Sequence, residues 1–281
     1  MCRTVDLHQA VLAKNDENAL ALRGYLGGRG TVAVNLLSSP GSGKTALLER
    51  LLARAVEVGT PAAAVTADLA TENDATRLAR SGAPVQQILT DGLCHLEAGM
   101  LQRRLEGWLP EGTRLLFVEN VGNLVCPASY DLGETLRIAL ASVTEGEDKP
   151  VKYPAAFGLA HLVVITKTDI ADAVGFDRET FLRGVQQVNP GVPVLDTSAR
   201  TGQGVDALLA HVLRCAAGDE RHVPVLARQH ERYLHSHENG HEHPHADGHE
   251  GADGHPHPDG HPHAREAGAG PSREQAQGHP R

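Results

Sequence analysis

The segment that most restricts what this chain can fold into is Ser38-Ser39-Pro40-Gly41-Ser42-Gly43-Lys44-Thr45. It follows an apolar, β-rich run, Thr31–Leu37, and opens an amphipathic stretch from Ala46 to about Val58. Strand, glycine-bearing loop and helix in that order make a cradle for phosphate. Gly41 and Gly43 let the backbone around Ser42 point its N–H groups at phosphate oxygens, with the helix N-terminus behind them. Lys44 is placed to reach the β- and γ-oxygens, and Thr45 to put its hydroxyl on Mg²⁺. Ser38 stands where such loops usually begin with glycine. The cradle commits the chain to an α/β fold.

The rest of the body agrees with that commitment. Seven apolar runs alternate with helical stretches: Thr31–Leu37, Ala62–Ala67, Val85–Leu89, Arg114–Glu119, Ile138–Val143, His161–Thr166 and Val192–Thr197. Unbroken runs such as Leu115-Leu116-Phe117-Val118 suit parallel strands buried on both faces. The expected architecture is a P-loop NTPase: a mostly parallel central sheet with helices on both faces and its chemistry beyond the carboxyl ends of the strands. One or two amphipathic helices from Thr4 to Gly27 precede it, ended by Gly27-Gly28-Arg29-Gly30. From Arg228 onward the large apolar residues run out, and such a segment cannot bury enough surface to offset its ordering entropy. The expected division is a helical segment at 1–30, the P-loop domain at 31–226 and a disordered, His-rich tail at 227–281.

Two further strand ends carry nucleotide chemistry. Thr166-Lys167-Thr168-Asp169 and Thr197-Ser198-Ala199-Arg200-Thr201-Gly202 resemble the guanine-specificity elements of GTPases, in the right order after a phosphate loop. The Asp169 carboxylate can accept from guanine N1–H and N2–H₂ together, a donor pair adenine lacks. The backbone around Ser198 and Ala199 would meet the O6 acceptor, and Lys167 belongs to the same base pocket. Thr166 stands where Asn is more usual. Asp68 and Glu119 close two other strands at the same edge, near the Mg²⁺ shell. In Glu119-Asn120-Val121-Gly122 the Gly122 N–H is available to a γ-phosphate. Asp74 has two readings, a switch residue or an acid in the first turn of a helix, where negative charge is stabilising.

Metal chemistry is written in two places. Cys94 and His95, in Asp91-Gly92-Leu93-Cys94-His95, and Cys126, four residues beyond Gly122, offer two thiolates and an imidazole suited to Zn²⁺ or Ni²⁺. Three ligands leave the site open to water or to a second chain across a two-fold axis. The tail supplies His235, His237, His241, His243, His245, His249, His255, His257, His261 and His263. Such imidazoles gather Ni²⁺, Cu²⁺ or Zn²⁺ with little selectivity and fail once protonated, below about pH 6. Cys2 and Cys215 are read as having no histidine nearby in sequence, and neither is assigned a role.

Composition narrows the partners. The formal net charge is −9, which argues against nucleic acid. No stretch approaches the roughly 18 apolar residues of a membrane span, and the N-terminus lacks the apolar region of an export signal. A cytoplasmic chain is expected, with its four cysteines as thiols or metal ligands.

Several segments together resemble the HypB family, the GTPases of nickel insertion into [NiFe]-hydrogenase. They are Leu37–Thr45, Gly92-Leu93-Cys94-His95-Leu96, the run Glu119–Pro127, and Val143-Thr144-Glu145-Gly146-Glu147-Asp148-Lys149-Pro150. The resemblance spans roughly residues 5 to 217. It implies a GTP-dependent homodimer with a metal site of Cys94, His95 and Cys126 near the subunit interface. It also implies a small maturation partner protein and the hydrogenase large subunit as recipient. Some members carry an N-terminal cysteine cluster, of which only Cys2 is present, and His-rich segments usually stand near the N-terminus rather than the C-terminus.

Overall fold

The computed structural model describes residues 2–68, 73–90, 92–219 and 221–227, with the backbone alone for 2–9. The ten tail histidines and Asp91 lie outside the described residues. The first element is a single helix, α1 (Cys2–Gly28), where one or two were expected. Asn15, Ala19, Leu22 and Leu26 form its buried stripe, at the spacing of one helix face. Leu20, apolar but off that stripe, is exposed. The stripe binds α1 to the body: Arg23 pairs with Asp131 at 2.8 Å, and Gly133 comes so close to α1 that a Cβ there would stand 2.6 Å from the Ala19 carbonyl.

All seven expected strands form: β1 (Val32–Ser38), β2 (Ala62–Asp68), β3 (Val85–Leu89), β4 (Leu115–Glu119), β5 (Leu136–Ser142), β6 (Leu162–Thr166) and β7 (Val194–Asp196). They make one sheet in the order β3-β2-β4-β1-β5-β6-β7, and every pairing is parallel. β1 therefore lies at the centre, between two strands that come later in the chain. Its burial on both faces is the physical reason its sequence reads as an apolar run, interrupted only by the buried Asn35 before Ser38, rather than an alternation.

Helices cover both faces. On one face α2 (Lys44–Glu57) buries Leu47, Leu48, Leu51 and Leu52 beside α9 (Val205–Ala216), with Phe117 of β4 beneath. On the other, α1 and α4 (Ala98–Leu105) cover Val65 and Leu116. There too Phe157 and Phe181, from α6 (Pro154–Gly158) and α8 (Arg178–Val188), meet edge to face, their centroids 6.3 Å apart. The short helices are α3 (Asn73–Ala79), α5 (Lys149–Lys152) and α7 (Ala171–Val174).

β5 begins earlier than expected, at Leu136, and stops at Ser142, while β7 is shorter than expected at both ends. Arg137, a charged residue that hid the start, is buried in the strand, its guanidinium bonded to Glu134 at 2.7 Å and to the Ala128 and Tyr130 carbonyls. Burial alone would raise the Glu134 pKa, but the Arg137 charge and backbone N–H bonds hold it below the usual range. After α9 the chain crosses back, Arg221 donating to the Thr135 carbonyl at 2.8 Å and His222 bonded to Asn189.

Candidate nucleotide and metal site

The carboxyl ends of β1, β2, β4, β6 and β7 bring most of the expected residues to one edge of the sheet. Gly41 and Gly43 have φ of +72° and +89°, the left-handed region that glycine enters without strain. They turn the chain from β1 into α2, so Lys44 and Thr45 start the helix. Lys44 Nζ lies 3.2 Å from Glu119 Oε1, and the Thr45 hydroxyl donates to the same oxygen at 2.6 Å. Glu119 is buried, and its Oε2 has no hydrogen-bond partner. A buried carboxylate oxygen left in that state is costly. Beside a threonine hydroxyl, it fits the oxygen coordination of a hard cation such as Mg²⁺. Asp68 ends β2, two residues beyond Thr66, the residue paired with Glu119. Asp74 sits in the first turn of α3, which accounts for it as a helix-dipole acid.

Gly122 lies against the phosphate loop. A Cβ there would stand 3.1 Å from Pro40 Cα, so glycine is what lets the loop after β4 touch the cradle. From the other side, Lys149 donates to the Ser39 hydroxyl at 3.0 Å and lies 3.5 Å from Glu145. The segment Val143–Pro150 therefore reaches the cradle, a contact its sequence did not announce.

The base end is stitched together internally. Thr166, standing for the usual Asn, donates its hydroxyl to the Ser42 carbonyl at 2.6 Å and so ties the β6 end to the phosphate loop. Lys167, the one described non-glycine residue with positive φ, lays its stem beside Gly43 and donates to the Gly41 carbonyl at 2.7 Å. The Thr168 N–H and hydroxyl both donate to the Thr197 carbonyl. Asp169 Oδ1 accepts from the Ser198 hydroxyl at 2.6 Å, and Oδ2 lies 2.9 Å from Arg200 Nε. The Ser198 bond, with the Arg200 charge behind it, holds the Asp169 carboxyl below its ordinary range. Ala199 presents its carbonyl to Arg50 Nε at 3.0 Å. Gly204 closes the turn where a Cβ would collide with the Asp196 carbonyl.

The thiols meet as well. Cys94 is exposed, and the Cys126 thiol bonding to it pushes the Cys94 thiol up. Cys126 opens a 3-10 turn, Cys126–Ser129. His95 Nδ1 is 3.8 Å from Cys94 Sγ, its ring is stacked on Tyr130 with centroids 3.8 Å apart, and its buried Nε2 has no hydrogen-bond partner. Among the described residues, no three His, Cys, Asp or Glu side chains converge to hold a metal ion within one chain. Sequence reasoning missed the asparagines that join these loops to the nucleotide side. Asn120, directly after Glu119, accepts from Leu96 N at 3.4 Å and Val121 N at 2.9 Å. Asn123 donates to the Cys94 carbonyl at 3.4 Å, and Asn15 of α1 accepts from Ala98 N at the start of α4. The only advance signal was a buried-type polar residue after a strand end. One correction is needed: Cys215 does have a histidine near it, His211, one helical turn back with Nε2 3.8 Å from Sγ.

Residues 32–196 match the family model for the CobW/HypB/UreG nucleotide-binding domain. The hydrogenase maturation factor HypB of Azotobacter chroococcum mcd 1 is 43% identical over 215 residues, which is 75% of this chain and 69% of that protein. The chain belongs to the HypB family. Among its HypB relatives, that of Escherichia coli strain K12 is 41% identical over 216 residues, covering 76% of this chain and 74% of that one. The crystal structure of Helicobacter pylori HypB in complex with nickel superposes with a TM-score of 0.70 at 35% identity, over 75% of this chain and 98% of that chain. The matched span runs from the first residue of β1 to the last of β7. HypB membership therefore covers the whole sheet and the phosphate loop. Among the described residues of this HypB-family chain, no helix is long and apolar enough to cross a membrane.

Proposed function

We propose that this HypB-family protein hydrolyses GTP to GDP and phosphate and uses the nucleotide state to control nickel delivery during [NiFe]-hydrogenase maturation. Lys44 supplies positive charge where the transferred phosphoryl group gathers negative charge. Thr45, Glu119 and Asp68 are the oxygen donors for Mg²⁺, which when bound supplies charge neutralisation at the β- and γ-oxygens. Gly122 reads the γ-phosphate through its N–H, and Asp169 with Ser198 and Ala199 selects guanine. Cys94, His95 and Cys126 hold Ni²⁺ or Zn²⁺ as cargo, and a second chain completes the ligand set in a GTP-dependent homodimer. The tail histidines store nickel. The partners are a small maturation protein and the hydrogenase large subunit, in the cytoplasm, with no nucleic acid.

The observation that carries this reading is the short path from Glu119 to the thiols. Glu119 closes on Lys44 and Thr45, Gly122 lies on Pro40, and Asn120 and Asn123 bond to the backbone at Leu96 and Cys94. A loop ordered by GTP and released on hydrolysis then moves a metal ligand with it. The nickel complex of the H. pylori relative supports the choice of cargo.

The test is nickel and zinc affinity of the protein cut after Ala227, measured with GDP and with a non-hydrolysable GTP analogue, alongside its mass in solution. Tighter or weaker metal binding with the analogue, together with a doubled mass, is expected. Equal affinities and an unchanged mass would remove the switch. Full-length protein should bind several more nickel ions than the shortened one, independently of nucleotide.

A further inference from the structure

Asp169 is engaged on both oxygens, by Ser198 on one and Arg200 on the other. A guanidinium is a planar array of N–H donors. Arg200 thus offers Asp169 the kind of donor edge that guanine N1–H and N2–H₂ would offer, and it must leave for guanine to bind. Its side chain is 79% exposed, so it is free to swing. It has somewhere to go: Arg200 also lines an open groove of about 550 Å³ between α2, α3 and the loop after β7. The groove carries Arg50, Arg77, Arg80 and Arg200 against a single acid, Glu49, which is paired with Arg77 at 2.7 Å. That is a surplus of positive charge on a chain whose net charge is −9. A second groove arginine, Arg50, is tied to the guanine loop through the Ala199 carbonyl.

We propose that this groove docks an acidic segment of a partner protein, one bearing several Asp or Glu side chains, and that Arg200 links docking to nucleotide binding. Carboxylates in the groove compete with Asp169 for Arg200, while guanine competes with Arg200 for Asp169. Each ligand frees the group that the other needs. The coupling is therefore positive and, by linkage, equal in both directions. Guanidinium and carboxylate match fork to fork, which favours an acidic peptide. A polynucleotide longer than the groove would run onto a net-negative surface. The inference rests on Asp169 being the guanine acceptor, as proposed above.

The experiment uses full-length protein and a hexaglutamate peptide as the probe. Peptide affinity is measured with and without GDP, and affinity for fluorescent GDP with and without peptide. Each ligand should tighten the other by the same factor, about five- to tenfold. Arg77→Ala combined with Arg80→Ala should weaken the peptide about tenfold while GDP affinity alone stays within about twofold. Arg200→Ala should bind GDP more tightly than the parent, because its internal competitor is gone, and should no longer respond to peptide. Undiminished peptide binding by the double variant, or GDP affinity in Arg200→Ala that is unchanged or weaker, would overturn the proposal. So would a single-stranded oligonucleotide of equal charge that binds as well as the peptide. Failure of the guanine assignment looks different: Asp169→Asn would leave the preference for GTP over xanthosine triphosphate unchanged, whatever the peptide does.

Discussion

The base end and the thiol end of this molecule hang from the same sheet edge but are finished to different degrees. At the base end Thr166 and Lys167 bond to the phosphate loop, Thr168 to the Thr197 carbonyl and Ser198 to Asp169, all at 2.6 to 3.1 Å. At the thiol end the cross-links from Asn120 and Asn123 are 3.4 Å, Cys94 is exposed, and His95 Nε2 has no hydrogen bond, only Glu97 Oε1 at 3.6 Å. Donors and acceptors held before a ligand arrives cost nothing to organise when it binds. The proposed base end is therefore preformed except at Arg200, which must leave Asp169 for guanine to bind. The thiol end is completed by what binds it, and it is the end suited to report a change of state.

The largest effect should come from the element both ends share. Lys44→Ala removes the ammonium beside Glu119 and should lower GTP turnover by about a thousandfold. The buried carboxylate would then be left with the Thr45 hydroxyl alone. Single-turnover phosphate release is the measurement. Turnover within tenfold of the parent would mean that catalysis does not pass through the cradle, and the two ends would have no common centre. Next in size, Asp169→Asn exchanges an acceptor for a donor at a preformed site. It should move the GTP to xanthosine triphosphate affinity ratio by about a hundredfold. A smaller, diffuse loss for both nucleotides would show the base end to be softer than its bonds imply.

Acid separates the platform from both ends. His161, at the foot of β6, accepts from Arg137 N through Nδ1. Burial first, then the charges of Arg221 and Arg137, lower its pKa to about 4. Between that value and 6.5 the unfolded chain takes up a proton that the folded chain refuses, so stability is lost as pH falls through this window. After discounting for its partial exposure, the loss is about 2 kcal/mol. His161→Gln keeps an acceptor without the titration, and its denaturation midpoint should depend less on pH between 6.5 and 4. An unchanged pH dependence would place the acid sensitivity elsewhere.

The fold was legible because parallel strands buried on both faces write themselves as nearly unbroken apolar runs, as β4 and β6 do, while the edge strands β3 and β7 are only half-buried and were marked by their place between helical stretches. Arg137 obscured the start of β5 because a buried ion pair reads, in sequence, like a surface charge. The cradle could be read because glycine conformation demands particular residues at a strand end, and the β6 and β7 ends were singled out because the proposed guanine hydrogen bonding would demand particular residues there. What could not be read was which ordinary residues join them. Thr166 looked like a weakened motif and is a tie to the Ser42 carbonyl. Asn120 and Asn123 stood inside a recognised segment, yet their partners at Leu96 and Cys94 are far off in sequence. His211 and Cys215 show the same blindness at short range, since only the helical turn makes them neighbours.

The smallest expected effect probes the looser end directly. Asn123 has two bonds: its Nδ2 donates to the Cys94 carbonyl at 3.4 Å, and its Oδ1 accepts from Val125 N at 2.9 Å. The first joins the loop after Gly122 to the Cys94 loop of the proposed metal site, while the second only shapes its own turn. Asn123→Ala removes both and should reduce the ratio of metal affinities between the GTP-analogue and GDP states by about threefold, the worth of one long, exposed bond. GTP affinity should not change. Asn123→Asp keeps the acceptor for Val125 N but replaces the donor with a carboxylate. If it matches the alanine variant, the Cys94 contact transmits the nucleotide state; if it matches the parent, the turn alone does. A ratio unmoved by either substitution would leave Asn120 and the chain between Gly122 and Cys126 as the physical link, and the thiol end would be stiffer than its 3.4 Å bonds suggest.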